Sequence, residues 1–258
     1  MRNYIIRRLV AVPLMLVGLS LMLFLLLWIR PGSAAFGVIG GLSLDTDFER
    51  LEERLGLNRP WFVQYGEWLG NAVQGDFGNS LVPPQDSVSS QISGRVANTL
   101  EIGILTIILS AVVGIPIGII SAVKRNSFLD VSLRTITILG ISIPNFWTAT
   151  LLLVLPAKFF GWTPLSVDYA TFTEDPIKNL GIVIWPAIIL AYSSAAYTGR
   201  LVRSSMLEVF YSDYVRTARA KGLAERIVVF RHAFRNSLIP VLTVIGLQIG
   251  VILGGAVI

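Results

Sequence analysis

Three groups of side chains in this sequence are equipped for chemistry or recognition, and none of them is a catalytic set. The largest is basic. Eight Arg and Lys residues lie between Arg200 and Arg235, around the stretch YSDYVRTARAKGLAERIVVFRHAFRNSLIP at residues 211 to 240. Grouped cations recognise anions, whether carboxylates of a protein partner or phosphates of lipid or nucleic acid. The second group is polar residues set in apolar runs: Asn145 beside Pro144, Ser193 and Ser194 together, and Gln248. Amides and hydroxyls are costly in hydrocarbon, so all four are candidates for lining a pathway, Gln248 foremost. For Gln248 the alternative is an ordinary interhelical hydrogen bond. The third is the single histidine, His232, between Arg231 and a run of apolar and basic residues. That setting does not suggest catalysis.

The familiar catalytic signatures are missing. No G-x-x-x-x-G-K-[ST] phosphate loop, H-E-x-x-H zinc pair or G-x-S-x-G nucleophile elbow occurs. Cysteine is absent, which removes disulfides and thiolate metal sites. No acid or base falls deep in an apolar run, as a proton-coupled carrier would need. The chain by itself is expected to hold no catalytic site, no cofactor, no metal and no fuel site.

The elements that position these residues belong in a bilayer. Of 258 residues, 53% are apolar and only 14% charged, a balance that ordinary soluble domains do not show. About 20 apolar residues in a helix cross a membrane. Five stretches qualify: Leu9 to Ile29, Ile102 to Val123, Thr135 to Leu155, Leu180 to Tyr197 and Leu238 to Ile258. The first, preceded by Arg2, Arg7 and Arg8, is too long for a signal core cut at Ser33-Ala34-Ala35, so it reads as an uncleaved anchor. The expected fold is therefore all-α, a polytopic helical membrane protein.

Charge sets its orientation. The N-terminus and residues 124–134 and 200–235 hold 14 of the 21 cations and four of the 16 acids, a balance of +10, while the remaining segments sum to −5. Cations near span ends stay cytoplasmic. The N-terminus and the basic loop are thus expected inside, and residues 30–101 and 156–179 outside. A net charge of +5 polarised across a membrane is no nucleic-acid patch. The chain divides into residues 1–30, the cytoplasmic end and first span; 31–98, an extracytoplasmic region with short helices; and 99–258, a membrane core carrying the cytoplasmic loop 200–237.

Within the outer region, Asp47 opens a helical pattern closed by Gly56 and Pro60. WFVQYGEWLGNAVQGDFG then places Trp61, Tyr65, Trp68, Leu69 and Val73 near one face, as in a helix lying at the membrane boundary or docking an external partner. Gly114 and Gly118 frame Pro116, and glycine repeats at 246, 250 and 254. Small residues four apart allow close helix packing. Glu101, with Asn98 and Thr99 nearby, is expected to cap the outer mouth of the second span.

In the basic loop, Ser212 and Asp213 are both able to start a helix over Tyr214 to Lys221, which Gly222 stops in a left-handed conformation. A second helix resumes at Ala224 and runs towards Pro240. So short a helix is marginal alone and needs something to lie against. Ala218, Ala220 and Gly222 keep its profile small enough for a groove, and Arg216, Arg219 and Lys221 supply charges to set its orientation. Anionic lipid is the other partner for these cations, but lipid explains neither the small residues nor the glycine break. An ion channel is disfavoured, since no filter sequence is evident.

The residues resemble the transmembrane permease subunits of ABC importers, in the dipeptide and oligopeptide branch. The resemblance is carried by SSMLEVFYSDYVRTARAKGLAERIVVFRHAFRNSLIPVLTVIGLQIGVILGGAV, with IIRRLVAVPLMLVGLSLMLFLLLWIRPG, LGLNRPWFVQYGEWLGNAVQGDFGNSL, NTLEIGILTIILSAVVGIPIGIISAV and SIPNFW, nearly the whole chain. It implies a type I ABC importer-like transmembrane fold in a bacterial or archaeal cytoplasmic membrane, with a sixth span expected beyond the five present. It also implies that Tyr214, Arg216, Ala218, Arg219, Lys221, Gly222 and Leu223 form a coupling helix inserted into a cleft of a cytoplasmic ATPase subunit. ATP and Mg would bind in that partner. A second homologous permease, two ATPase subunits, an extracytoplasmic substrate-binding protein and membrane lipid are the implied partners. The generic importer loop carries Glu-Ala-Ala and then Gly; here Arg216 and Thr217 take the first two places, with Ala218 and Gly222 retained. The competing reading is a membrane scaffold or receptor whose basic loop binds a signalling partner.

Overall fold

A computed structural model describes residues 2–29, 56, 58–80, 86–161 and 170–255. The helix expected from Asp47 and the Ser33-Ala34-Ala35 segment lie outside the described residues. Those residues form helices α1 (Arg2–Trp28), α2 (Trp61–Val73), α3 (Val88–Val123), α4 (Phe128–Ser142), α5 (Asn145–Phe160), α6 (Pro176–Phe210), α7 (Asp213–Ala220) and α8 (Glu225–Ile227), then a π-helical segment (Val228–Phe234) and α9 (Arg235–Gly255). Four helices are long and apolar enough to cross a membrane, and the bent pair α4 and α5 makes a fifth candidate. The chain separates into two compact units, Met1–Arg95 and Val96–Ile258.

In the first unit α2 lies against α1 through one aromatic residue. Tyr65 is buried; its ring sits 5.5 Å from that of Phe24, and its hydroxyl donates to the Val17 carbonyl at 3.0 Å. The Ser20 hydroxyl lies 2.9 Å from the Tyr65 hydroxyl oxygen. The expected common face is not kept throughout, because Val73 is 81% exposed.

The second unit is organised around α6. Asp175 caps its start, accepting from the Ile177 and Lys178 amides, and Pro176 takes the first helical position, where a missing N–H costs nothing. At 35 residues α6 is about 50 Å long, well beyond the hydrocarbon thickness. Two neighbours approach it closely through glycine, α3 against its backbone and α4 against a methyl group. A Cβ on Gly114 would stand 2.6 Å from the Ala195 carbonyl oxygen, and one on Gly118 would stand 2.6 Å from the Gly199 oxygen. On α4, a Cβ on Gly140 would meet the Ala196 methyl at 2.7 Å. Ala187, Ala191, Ala195 and Ala196 are buried along the same helix. The glycines of α9 behave differently: Gly246, Gly250 and Gly254 have open space where a side chain would be. Among the described residues, only the first of the two expected glycine patterns is used for packing.

The core lies where α3 ends, α6 passes and α9 begins. Ala122, Val202, Met206, Val229, Ala233 and Val241 are buried there together. Burial at about 25 cal/mol per Å² of apolar area holds these ends in place.

Two expectations require correction. The span predicted over Thr135 to Leu155 is two helices meeting at 95°. Pro144 has no N–H for the ladder and drives Ile143 into extended backbone, φ −86° and ψ 122°. Glu101 is not a cap. It lies inside α3, which begins well before it at Val88, and accepts from the Asn179 side-chain amide at 3.3 Å. Asn179, wholly buried, also donates to the Ala170 carbonyl at 3.0 Å.

Candidate coupling site

The short helix α7 occupies the connection between α6 and the π-helical segment. Ser212 stands in the N-cap position, but its hydroxyl donates back to the Val209 carbonyl and makes no cap bond. Asp213 accepts from Arg216 at 3.4 Å in an exposed pair. The helix ends as its sequence requires. Gly222 adopts φ +76°, its amide donates to Arg219 O at 2.9 Å, and the Leu223 amide reaches Ala218 O at 3.4 Å. This paired closure satisfies the last carbonyls and needs a residue without a Cβ at the left-handed position.

Three attachments hold α7 to its neighbours in the chain. Val215 and Ala218 are buried against Val228, the first residue of the π segment. The Arg219 guanidinium grips Glu225 in a two-bonded pair, Nη2 to Oε1 at 2.7 Å and Nε to Oε2 at 3.2 Å, and lies 5.4 Å over the Phe210 ring. The third is polar. Asn236 Nδ2 donates to the Tyr214 hydroxyl at 2.8 Å and to the His232 carbonyl at 2.9 Å, and the Tyr214 hydroxyl itself donates to that carbonyl at 3.3 Å. His232 lies in the π-helical turn just before α-helical bonding resumes, where the change in ladder spacing leaves carbonyls needing side-chain partners.

The seven residues predicted for the elbow therefore divide. Val215, which sequence reading passed over, joins Ala218 on the inner face. Ala218 is small because it packs within this chain, so the three small residues do not share one outward profile: Ala220 and Gly222 are exposed and Ala218 is not. Tyr214 and Arg219 bind the elbow to its own chain. Arg216, Lys221, Gly222 and Leu223 are exposed.

The pathway candidates are not gathered by direct bonds. Asn145 is half-buried at the start of α5, Ser193 and Ser194 are half-buried on α6, and Gln248 is half-buried on α9. Ser193 donates to Leu190 O at 3.4 Å, and among the described residues no hydrogen bond joins any two of the four. Among the described residues Gln248 makes no interhelical hydrogen bond.

Sequence reading also missed Asp130, which it counted as one of four acids on the cytoplasmic side. Asp130 is fully buried. Its carboxylate accepts from Arg203 Nε at 2.9 Å and Nη2 at 3.0 Å, from the Ser121 hydroxyl at 2.5 Å and from the Asn126 amide at 2.9 Å. One acid thereby joins α3, α4 and α6. The available signal was S-x-x-D at Ser127 to Asp130, a capping box: Ser127 accepts from the Asp130 amide at 3.2 Å, and the carboxylate reaches back to the chain ahead of the helix.

Fold and site define a helical membrane protein with a rigid cationic elbow between two spans. Residues 114–258 match the family of the binding-protein-dependent transport system inner membrane component, and residues 1–100 match the family of its N-terminal region. The chain belongs to this family and is a multi-pass inner-membrane transport component. The oligopeptide transport system permease protein AppB of Bacillus subtilis is 39% identical over 260 residues, covering 100% of this chain and 82% of that protein. A putative peptide transport system permease protein of Brucella suis is 39% identical over 248 residues, 96% of this chain and 78% of that one. The dipeptide transport system permease protein DppB of Alkalihalophilus pseudofirmus is 36% identical over 279 residues, 100% of this chain and 83% of its own length. No such relative carries a signalling name, and the scaffold or receptor reading finds no support.

Proposed function

We propose that this chain forms half of the translocation pathway of an ATP-driven importer and that α7 is the helix through which a cytoplasmic ATPase subunit moves it. The carrying observation is the clamping of α7 by Val215, Ala218, Arg219 and Tyr214, while Arg216, Ala220, Lys221, Gly222 and Leu223 remain exposed. An isolated eight-residue helix would fray; one anchored in this way passes a push on its outer face into α6 and α9. Closure of the ATPases on ATP then tilts these spans as packed bodies, the rocking that alternating access requires. ATP and Mg bind in the partner subunits. A second homologous permease completes the pathway, with two ATPase subunits beneath.

The names of the relatives support peptides as the cargo, delivered by an extracytoplasmic substrate-binding protein. The charge asymmetry supports a cytoplasmic N-terminus and a cytoplasmic elbow. Because the chain has no cysteine, a single Ala220→Cys variant carries one unambiguous cross-linking site. In inner-membrane vesicles it should capture a P-loop ATPase polypeptide, with a yield that changes on adding ATP. Capture of phospholipid headgroups alone would overturn the coupling assignment.

A further inference from the structure

Two adjoining cavities run along the groove between α3, α4 and α6, and their chemistry changes sharply from one to the next. The cavity towards the C-terminal end of α3 encloses about 190 Å³ and is lined by Arg134, Arg200 and Arg203 with Ile117, Leu133 and Ile138. Its neighbour, about 230 Å³, shares Ile117 and Thr137 and is otherwise almost wholly apolar, with Leu109, Val113, Ile136 and Ile188 in its walls. Of the three arginines, Arg203 is bonded to Asp130 and Arg134 stands 3.5 Å from the same carboxylate. Arg200 lies 6.0 Å over the Tyr197 ring and has no carboxylate partner among the described residues. Three cations thus face one acid, leaving the polar cavity with a surplus of two positive charges.

We infer that this groove binds one anionic phospholipid of the leaflet that faces the elbow, with its phosphate among Arg134, Arg200 and Arg203 and an acyl chain along the apolar arm. The dimensions agree. From Leu109 to Ser121 α3 rises about 18 Å, against about 15 Å for the hydrocarbon of one leaflet. Charge complementarity selects the headgroup, since guanidinium groups hold phosphate oxygens through paired, directed N–H donors. The apolar arm selects a lipid over a free anion, which would leave that arm unfilled. None of the residues lining the two cavities belongs to the elbow, and the site does not depend on the coupling reading.

Native mass spectrometry of the full-length permease, purified with the subunits that accompany it and then delipidated, tests this. Long-chain phosphatidylglycerol added back should be retained in preference to phosphatidylcholine. Arg200→Gln should reduce that preference about fivefold, the worth of one basic side chain at a membrane surface. Val113→Trp fills the apolar arm without touching a charge. It should weaken retention of long-chain phosphatidylglycerol and spare the dihexanoyl form. Circular dichroism and elution volume should match the parent in both variants. Equal retention of phosphatidylcholine, an unchanged preference in Arg200→Gln, or displacement of the lipid by inorganic phosphate would each overturn the site. So would a cross-link from Val113→Cys to a second permease that excludes lipid.

Discussion

The Arg203 guanidinium lies against the Asp130 carboxylate in two parallel bonds of 2.9 and 3.0 Å, joining α6 to the first turn of α4 across 73 residues of sequence. Asp130 is wholly buried, so removing either partner strands a charge. Asp130→Ala should destabilise the permease by about 3–5 kcal/mol. Replacing both partners with apolar residues of similar volume should recover most of that loss. Thermal unfolding in detergent of the two single variants and the double variant checks both expectations.

The crossing of α3 and α6 depends on a missing side chain. Gly118→Ala places a methyl 2.6 Å from Gly199 O and 2.6 Å from Val202 Cβ, and should cost about 1–3 kcal/mol through forced separation of the helices. Gly246→Ala, made where nothing lies within 4 Å, should be neutral or stabilising by up to about 1 kcal/mol. Comparing the two melting temperatures separates packing from propensity.

Tyr214→Phe removes only the hydroxyl that receives Asn236 and reaches His232. The expected cost is about 0.5–1 kcal/mol. In reconstituted vesicles the number of ATP molecules hydrolysed per solute imported should rise, because α7 is less firmly tied to α9. An unchanged ratio would reduce the contact to local stability.

Gly222→Ala should cost about 1 kcal/mol, since the left-handed backbone there crowds a Cβ. Gly222→Trp adds bulk on an exposed surface with free space around it. The protein should still insert into the membrane and hydrolyse ATP with its partners, but uptake should fail. Transport that persists unchanged would remove α7 from the coupling role.

Gln248→Ala should alter substrate preference or uptake rate while leaving co-purification of the ATPase intact. Normal uptake kinetics would return Gln248 to a packing role.

Much of the architecture was legible from local rules. Hydropathy marks a span because an unbroken helix is the way a single segment satisfies its backbone in lipid, and α1, α3, α6 and α9 appear where the apolar runs lie. Gly222 was readable as the end of α7 because a left-handed closing residue is a property of its own backbone. Pro144 was visible too, yet the 95° bend was not: proline removes one hydrogen bond, and how far the chain then turns depends on what the two halves pack against.

What composition and spacing determined for this protein is its membrane class, its spans and the position of a cationic elbow, each set by interactions within a few residues of chain. Tertiary structure alone decided which of those residues are spent internally. Ala218 faces Val228, Arg219 holds Glu225 and Asp130 holds Arg203; the last of these links residues far apart in sequence. A side chain's charge and size are written in the sequence, but whether that charge meets solvent, lipid or a buried partner is fixed only when distant helices pack.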